Sequence, residues 1–273
     1  MSDPVIPPAE ITTGPGRATR LWIAAGVLAF VVVAAASGVI TFSDSKDQMA
    51  APVGTLLAPT TIAGDNLSAD LGQVALRAAV TKGQDLAVFA APDDSAAPVT
   101  TLSKQTVYKL PRTLLSFDRY GQWLHVYLPT RPNGSTGWIK SSDVDLSAPL
   151  EWQIRVSLAD HHLWLFHRGA VNFQADVAIG TPQYPTPTGT FYITDPIDLH
   201  SRPNQGYGVF ALGLSGHSDV LNEFMGSDGQ IAIHGTGNPG DMGRSVSHGC
   251  VRVLNSTIEL LSQLPIGTPV VIA

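Results

Sequence analysis

Apolar positions fall into three textures along the chain. Leu21 to Ile40 is an uncharged run, long enough at ~1.5 Å per helical residue to cross a ~30 Å hydrocarbon layer. From Leu86 to Leu146 the runs become short. Leu86–Phe89 is followed by Gln122–Leu128, whose side chains alternate as on a half-buried strand, and then by Gly137–Ile139. Pro92-Asp93-Asp94 and Pro132-Asn133-Gly134 supply turns between them. This spacing predicts a small β-barrel. Alternation resumes in Trp152–Leu158, Leu163–Phe166 and Val171–Ile179, with His167-Arg168-Gly169-Ala170 reading as a hairpin turn. Pro185–Thr190 is a rigid turn into strand Phe191–Thr194. Asp195 to Gly229 shows no period and is expected to be a long functional loop. One helix is expected after residue 254. Asn255 and Ser256 cap it, Ile258, Leu260, Leu261 and Leu264 form its apolar face, and Pro265 and Gly267 end it. Pro269–Ile272 closes as a strand. The chain reads as mostly β.

These textures divide the chain. Residues 1–20, rich in Pro, Thr and Gly, are expected to be a disordered cytoplasmic tail. Arg17 and Arg20 precede the apolar run and Asp44 and Asp47 follow it, the charge bias of a transmembrane anchor over 21–40 with its N-terminus inside. A cleaved signal peptide is the alternative, because Ala34-Ala35-Ala36-Ser37 suits a signal peptidase. Either way the bulk of the chain is expected on the extracytoplasmic side of the cell membrane. Residues 41–72 read as a tether, 73–147 as the small β-barrel and 151–273 as a second β-rich domain.

Composition adds exclusions. The 273 residues carry a net charge of -6 and only 14% charged side chains, with no basic patch, so nucleic acid is set aside as a partner. The single cysteine permits no intramolecular disulfide and does not reveal the redox compartment.

That cysteine, Cys250, lies in Ser247-His248-Gly249-Cys250-Val251-Arg252. A free thiol is only a few per cent thiolate at neutral pH and needs a base beside it to act as a nucleophile. His234 ends the apolar run Ile231–Ile233, from which an imidazole can aim across a sheet; His248 is the nearer alternative. Gly235 directly after His234 leaves room for a backbone carbonyl to approach and hold the His234 tautomer, as a carboxylate does in other triads. Gly249 leaves room for a substrate carbonyl against backbone N–H groups, an oxyanion hole. Two other readings stand beside nucleophilic catalysis: a zinc site on His234, His248 and Cys250, and a buried structural cysteine. No Cys-x-x-Cys or His-Glu-x-x-His pattern supports a metal. His161, His162 and His167 are expected on a solvent-facing hairpin, and His125 and His217 show no evident partner.

The pattern Ile233-His234-Gly235-Thr236 followed by Ser247-His248-Gly249-Cys250-Val251-Arg252 resembles the signature of the L,D-transpeptidases with the YkuD catalytic domain. Pro185–Gly189 and Gly267–Ile272 add to the likeness, which covers residues 151–273. The Gly137-Trp138-Ile139 ending of the preceding segment resembles a bacterial SH3 domain. The first resemblance implies a β-sandwich-like catalytic domain that acts on peptidoglycan stem peptides without a metal or organic cofactor. By the same implication Cys250 attacks the acyl donor, forms a thioester and passes it to an amine of a neighbouring stem in a 3→3 cross-link. His234 would be base and acid, oriented by Gly235. Ser247, His248 and Gly249 would shape the oxyanion site, and a carbapenem would acylate the thiol. Arg252 is expected to meet a substrate carboxylate, and Tyr207 and Phe210 to form a lid. L,D-carboxypeptidase action, lipoprotein attachment to peptidoglycan and a non-catalytic wall-binding role are the alternatives.

Overall fold

The computed structural model describes residues 76–203, 206–223 and 228–273. The expected tail, anchor and tether lie outside the described residues. Among the described residues no helix is long and apolar enough to cross a membrane.

The first β region contains seven strands: β1 (Arg77–Thr81), β2 (Leu86–Val88), β3 (Thr100–Leu102), β4 (Thr113–Tyr120), β5 (Trp123–Tyr127), β6 (Thr136–Lys140) and β7 (Val144–Leu146). Five form an antiparallel sheet in the order β6-β5-β4-β1-β7, and β2 pairs with β3. A bridge between Phe89 and Trp138 ties the hairpin to β6. Alternation buries Leu114, Leu124, Val126 and Ile139 in a core with Leu86 and Val88.

The second region begins with β8 (Trp152–Ser157), β9 (His162–His167) and β10 (Ala170–Asp176). It continues through β11 (Ile179–Gly180), β12 (Gly189–Asp198), β13 (Phe210–His217) and β14 (Gln230–Thr236). It ends with β15 (Ser245–Ser247), β16 (Val251–Leu254), helix α1 (Asn255–Leu261) and β17 (Pro269–Ile272). Eight strands form one sheet in the order β10-β9-β8-β17-β12-β13-β14-β16, with β8–β17 and β14–β16 parallel. Both halves of this sheet face one core: Ile154, Val156, Leu163 and Leu165 from one side, Leu212, Leu214, Ile231, Ile233, Val251 and Val253 from the other, with Ile258 and Leu261 of α1. The sandwich-like closure is a single curled sheet. Its corner is β12, which pairs β17 through Gly189–Tyr192, shifts register between Ile193 and Asp195, and pairs β13 beyond. A bulge at a corner is how one strand serves two sheet directions.

Alternation along β12 also joins the two regions. Phe191 and Ile193 enter the large core, whereas Tyr192 enters the core of the first region and its hydroxyl donates to the Tyr127 carbonyl at 3.2 Å. The turn 131–133 adds polar contacts. The Asn133 side chain donates to the His217 carbonyl (2.7 Å) and accepts from the His217 N–H (2.9 Å), while Arg131 donates to the carbonyls of Ser218 and Leu221.

Four sequence expectations change. The stretch from Asp195 to Gly229 is no simple loop, because β12 runs on to Asp198 and β13 occupies Phe210–His217. The sequence Ala211-Leu212-Gly213-Leu214-Ser215-Gly216 carries small residues on one face, so it lacks amphipathic contrast although both faces are covered. Phe210, expected in a lid, begins β13 and packs against the large core. Asn255 makes no helix-capping bond; its Oδ1 accepts from the Val209 N–H at 3.3 Å. His125 and His217 do have partners: His125 stacks on Trp138 with ring centroids 4.3 Å apart, and His217 Nε2 meets Asp228 at 3.0 Å. The hairpin histidines sit as expected at its surface, with His162 against Asp176.

Candidate active site

Strands β14 and β16 run parallel with Ile233 opposite Val251 and His234 opposite Arg252. Ile231, Ile233, Val251 and Val253 point into the core, so by the two-residue repeat of a strand Ala232, His234, Cys250 and Arg252 share the other face. Cys250 stands beside Ala232, and His234 lies one diagonal away. At ~4.8 Å between strands and ~3.3 Å per residue the diagonal is roughly 8 Å between Cα atoms, a span that an imidazole and a thiol can cross. Strand pairing thus holds base and nucleophile together over sixteen positions of sequence.

His234 is buried, and its Nδ1 donates to the Gly235 carbonyl at 2.8 Å. That bond places the proton on Nδ1 and leaves Nε2 as the basic nitrogen. Burial lowers the His234 pKa to about 4; the Gly235 carbonyl opposes this and the Arg252 charge adds to it. The imidazole is therefore neutral at pH 7. Burial likewise pushes the Cys250 thiol above its ordinary value, while the Ala232 backbone N–H and Arg252 pull it back. A raised thiol beside a neutral imidazole keeps its proton on sulfur at rest. The pair suits proton transfer during attack better than a preformed thiolate–imidazolium couple.

The turn before Cys250 is shaped by Ser247. Its hydroxyl donates to the Cys250 carbonyl at 2.6 Å and accepts from the Gly249 N–H at 3.1 Å. Gly249 adopts φ +116°, a backbone state that disfavours any side chain. His248 is exposed, with its ring 4.9 Å from that of Tyr184. Seclusion from solvent thus belongs to His234 and not to the nearer histidine.

Arg252 donates to Asp241 at 2.9 Å in a partly buried ion pair, and Asn238 holds the other Asp241 oxygen at 2.8 Å. The Arg252 Nε is buried with no hydrogen-bond partner among the described residues. Tyr207 packs on His234 with ring centroids 4.6 Å apart, and its hydroxyl pKa is raised to about 12, chiefly by burial. The structure gathers Cys250, His234, Gly235, Ser247, Gly249, Arg252 and Tyr207 at one site, with Phe210 in the strand beside it. Sequence reasoning missed Asp241 and Ala232. The first sits in a Pro-Gly-Asp turn with no distinguishing spacing, and the second serves through its backbone. Among the described residues no group of three or more His, Cys, Asp or Glu is arranged to hold a metal.

Residues 151–272 match the family profile described as the L,D-transpeptidase catalytic domain, YkuD. The YkuD proteins of Bacillus subtilis and Bacillus licheniformis are 35% and 33% identical to this chain over 124 residues, covering 45% and 44% of it. The match spans 66% and 65% of those relatives' own length. Among solved structures, the catalytic domain of an E. faecium L,D-transpeptidase aligns with 46% of this chain and all of its own length at 26% identity and a TM-score of 0.33. An L,D-transpeptidase from Mycobacterium tuberculosis aligns with 71% of this chain and 96% of its own at 13% identity and a TM-score of 0.41. Residues 151–272 are thus similar to the L,D-transpeptidase catalytic domain, and Cys250 and His234 both lie inside the match.

Proposed function

We propose that this chain is a cysteine acyltransferase of peptidoglycan that joins two stem peptides in a 3→3 cross-link. The observation that carries the reading is the buried imidazole of His234, held through Nδ1 by the Gly235 carbonyl on the strand that pairs with the one following Cys250. The family match over 151–272 supplies the substrate class.

Cys250 Sγ attacks the carbonyl of the L-centre of a diamino acid as its proton passes to His234 Nε2. The resulting oxyanion needs N–H donors. Because the Gly249 N–H already bonds Ser247, the Cys250 backbone N–H is the better suited to that duty. Collapse breaks the C–N bond, and the imidazolium returns its proton to the departing D-alanine amine, leaving a thioester. An acceptor amine then attacks the thioester and loses a proton to His234. The S–C bond breaks, and His234 reprotonates the sulfur. Arg252, with one N–H unmatched and its position fixed by Asp241, is suited to a substrate carboxylate. No step requires a metal or organic cofactor.

A membrane anchor over 21–40 would confine this chemistry to the layer where the wall polymer lies and raise its effective concentration there. The test is incubation of the full chain with tetrapeptide-containing muropeptides, wild type beside Cys250→Ala, with products read by mass spectrometry. Dimers from the wild type alone support the reading. Trimmed monomers alone would make the protein an L,D-carboxypeptidase, and dimers from Cys250→Ala would exclude the thioester. A carbapenem is expected to add its mass to Cys250 in the wild type only.

A further inference from the structure

The imidazole of His234 is held from two sides. The Gly235 carbonyl accepts from His234 Nδ1 at 2.8 Å, and the ring of Tyr207 packs on the imidazole with centroids 4.6 Å apart. Neither hold supports itself. A carbonyl one residue along the chain keeps its aim only while its peptide plane is fixed, and Tyr207 sits in the connection between β12 and β13, outside any strand. Both supports meet at one side chain, that of Asn255.

The register of β14 on β16 brings it there. Gly235 stands opposite Val253 and Thr236 opposite Leu254, so the first residue of α1 follows directly beside the end of β14. Asn255 Oδ1 accepts from the Val209 N–H at 3.3 Å, and the Val209 carbonyl accepts from the Leu199 N–H at 2.9 Å. The segment 207–209 is thereby tied to α1 on one side and to the chain just after β12 on the other. Space is tight where it crosses β14. A methyl group on Gly208 would lie 2.1 Å from Asn255 Oδ1 and 2.7 Å from the Gly235 Cα, and one on Gly235 would lie 2.4 Å from the same oxygen. Gly208 also takes φ +64°, which a side chain would strain. Gly208 and Gly235 thus approach backbone to backbone, with Asn255 Oδ1 against both.

We propose that Asn255 is a positioning residue for His234: by clamping Gly208 against Gly235 it fixes both the carbonyl that sets the imidazole tautomer and the tyrosine that shields the ring. The part of His234 in acyl transfer rests on the function proposed above; the clamp itself does not. A loosened Gly235 peptide would let the imidazole take the Nε2–H form, which has no lone pair at the nitrogen that receives the thiol proton. A withdrawn Tyr207 would admit water, which favours the charged ring. Arg252 bears on the imidazole from β16 and opposes its protonation, and Tyr207 packs on it. Cys250 shares its face of the sheet. Substitution at position 255 alters none of these three side chains.

Nitrogen NMR spectra of the histidine rings in the full chain, with His234 assigned through His234→Gln, test the clamp without any substrate. The wild type is expected in the Nδ1–H form. Asn255→Ala is expected to populate the Nε2–H form to at least about a tenth and to titrate about one pH unit or more higher. Asn255→Asp keeps the acceptor for Val209 and is expected to retain the Nδ1–H form, while its charge beside Gly235 raises the titration midpoint. An unchanged His234 spectrum in Asn255→Ala would overturn the proposal. If that variant failed to fold, Asn255→Asp would decide, and an unmoved midpoint or a lost Nδ1–H form would overturn it. In turnover of a tetrapeptide muropeptide, Asn255→Ala is expected to lower kcat about 10- to 100-fold with KM within about threefold, and Asn255→Asp to keep kcat within about fivefold of wild type. An equal loss of kcat in both variants would overturn the positioning role. If wild type and Cys250→Ala gave identical products, the function would fail while the His234 spectra still judged Asn255.

Discussion

The first β region pairs its strands antiparallel throughout and the second mixes in parallel pairs; each buries an aliphatic core, yet they bury different polar groups. In the first region the buried polar side chains are the hydroxyls Thr81, Thr106, Thr113 and Ser116. In the second, Asp195, His217, His234 and Asp241 are buried as well. A hydroxyl can be satisfied by one backbone carbonyl, but an ionisable group removed from water is costly unless its partners are positioned for it. Titratable groups shielded from solvent mark the region built for chemistry, and the hydroxyl-only interior marks the one built as a scaffold.

The sharpest break of this contrast would be at Cys250. Cys250→Ala is expected to lower cross-linking by at least ~10³-fold while leaving the melting temperature within a few degrees of wild type. Next comes His234. His234→Gln is expected to cost about 10²–10⁴ in kcat/KM, the range of a positioned general base. Because burial lowers its pKa to about 4, the neutral base persists in mild acid, and the acid limb of kcat/KM should fall near pH 4 and not near 6.5. The same depression makes stability fall as pH drops from about 6.5 through about 4, since the unfolded chain takes up the proton first; the loss is on the order of 3 kcal/mol. Urea unfolding across that window should show a shallower slope in His234→Gln than in wild type, the remainder including His217, whose pKa burial also lowers.

If the scaffold and the catalytic region are one cooperative unit, Tyr192→Ala should destabilise both together by about 4 kcal/mol in a single calorimetric transition. Two separated transitions would show the regions to be independent. The smallest effect is expected at the polar latch: Asn133→Ala should cost about 1–2 kcal/mol through the lost bonds to His217, read as a lower urea midpoint.

Strands with alternating side chains were legible from the sequence, as β5, β8 and β9 show, and so was the hairpin turn at Arg168-Gly169, where both residues take positive φ. β13 was not, because Leu212 and Leu214 alternate only with Ala, Gly and Ser on a face that is also buried, which leaves no apolar–polar contrast to detect. At the site, Cys250, His234 and Gly235 could be picked from residue type and turn context. Asp241 could not, since its nearness to Arg252 arises from the path of the loop between β14 and β15. Asn255 looked like a helix cap from position alone; the close approach of Gly208 and Val209 draws its side chain to the loop.

The alternation of β12 also limits how this protein can be dissected. Cutting the chain near residue 150, where the sequence texture changes, would leave the catalytic half with Tyr192 facing water and the Tyr127 carbonyl lost to it. Such a fragment would carry an adhesive aromatic patch of its own making, and its self-association would report on the cut and not on the native enzyme. A free-standing catalytic half would need a polar residue at position 192, so the functional boundary of this protein lies inside a strand.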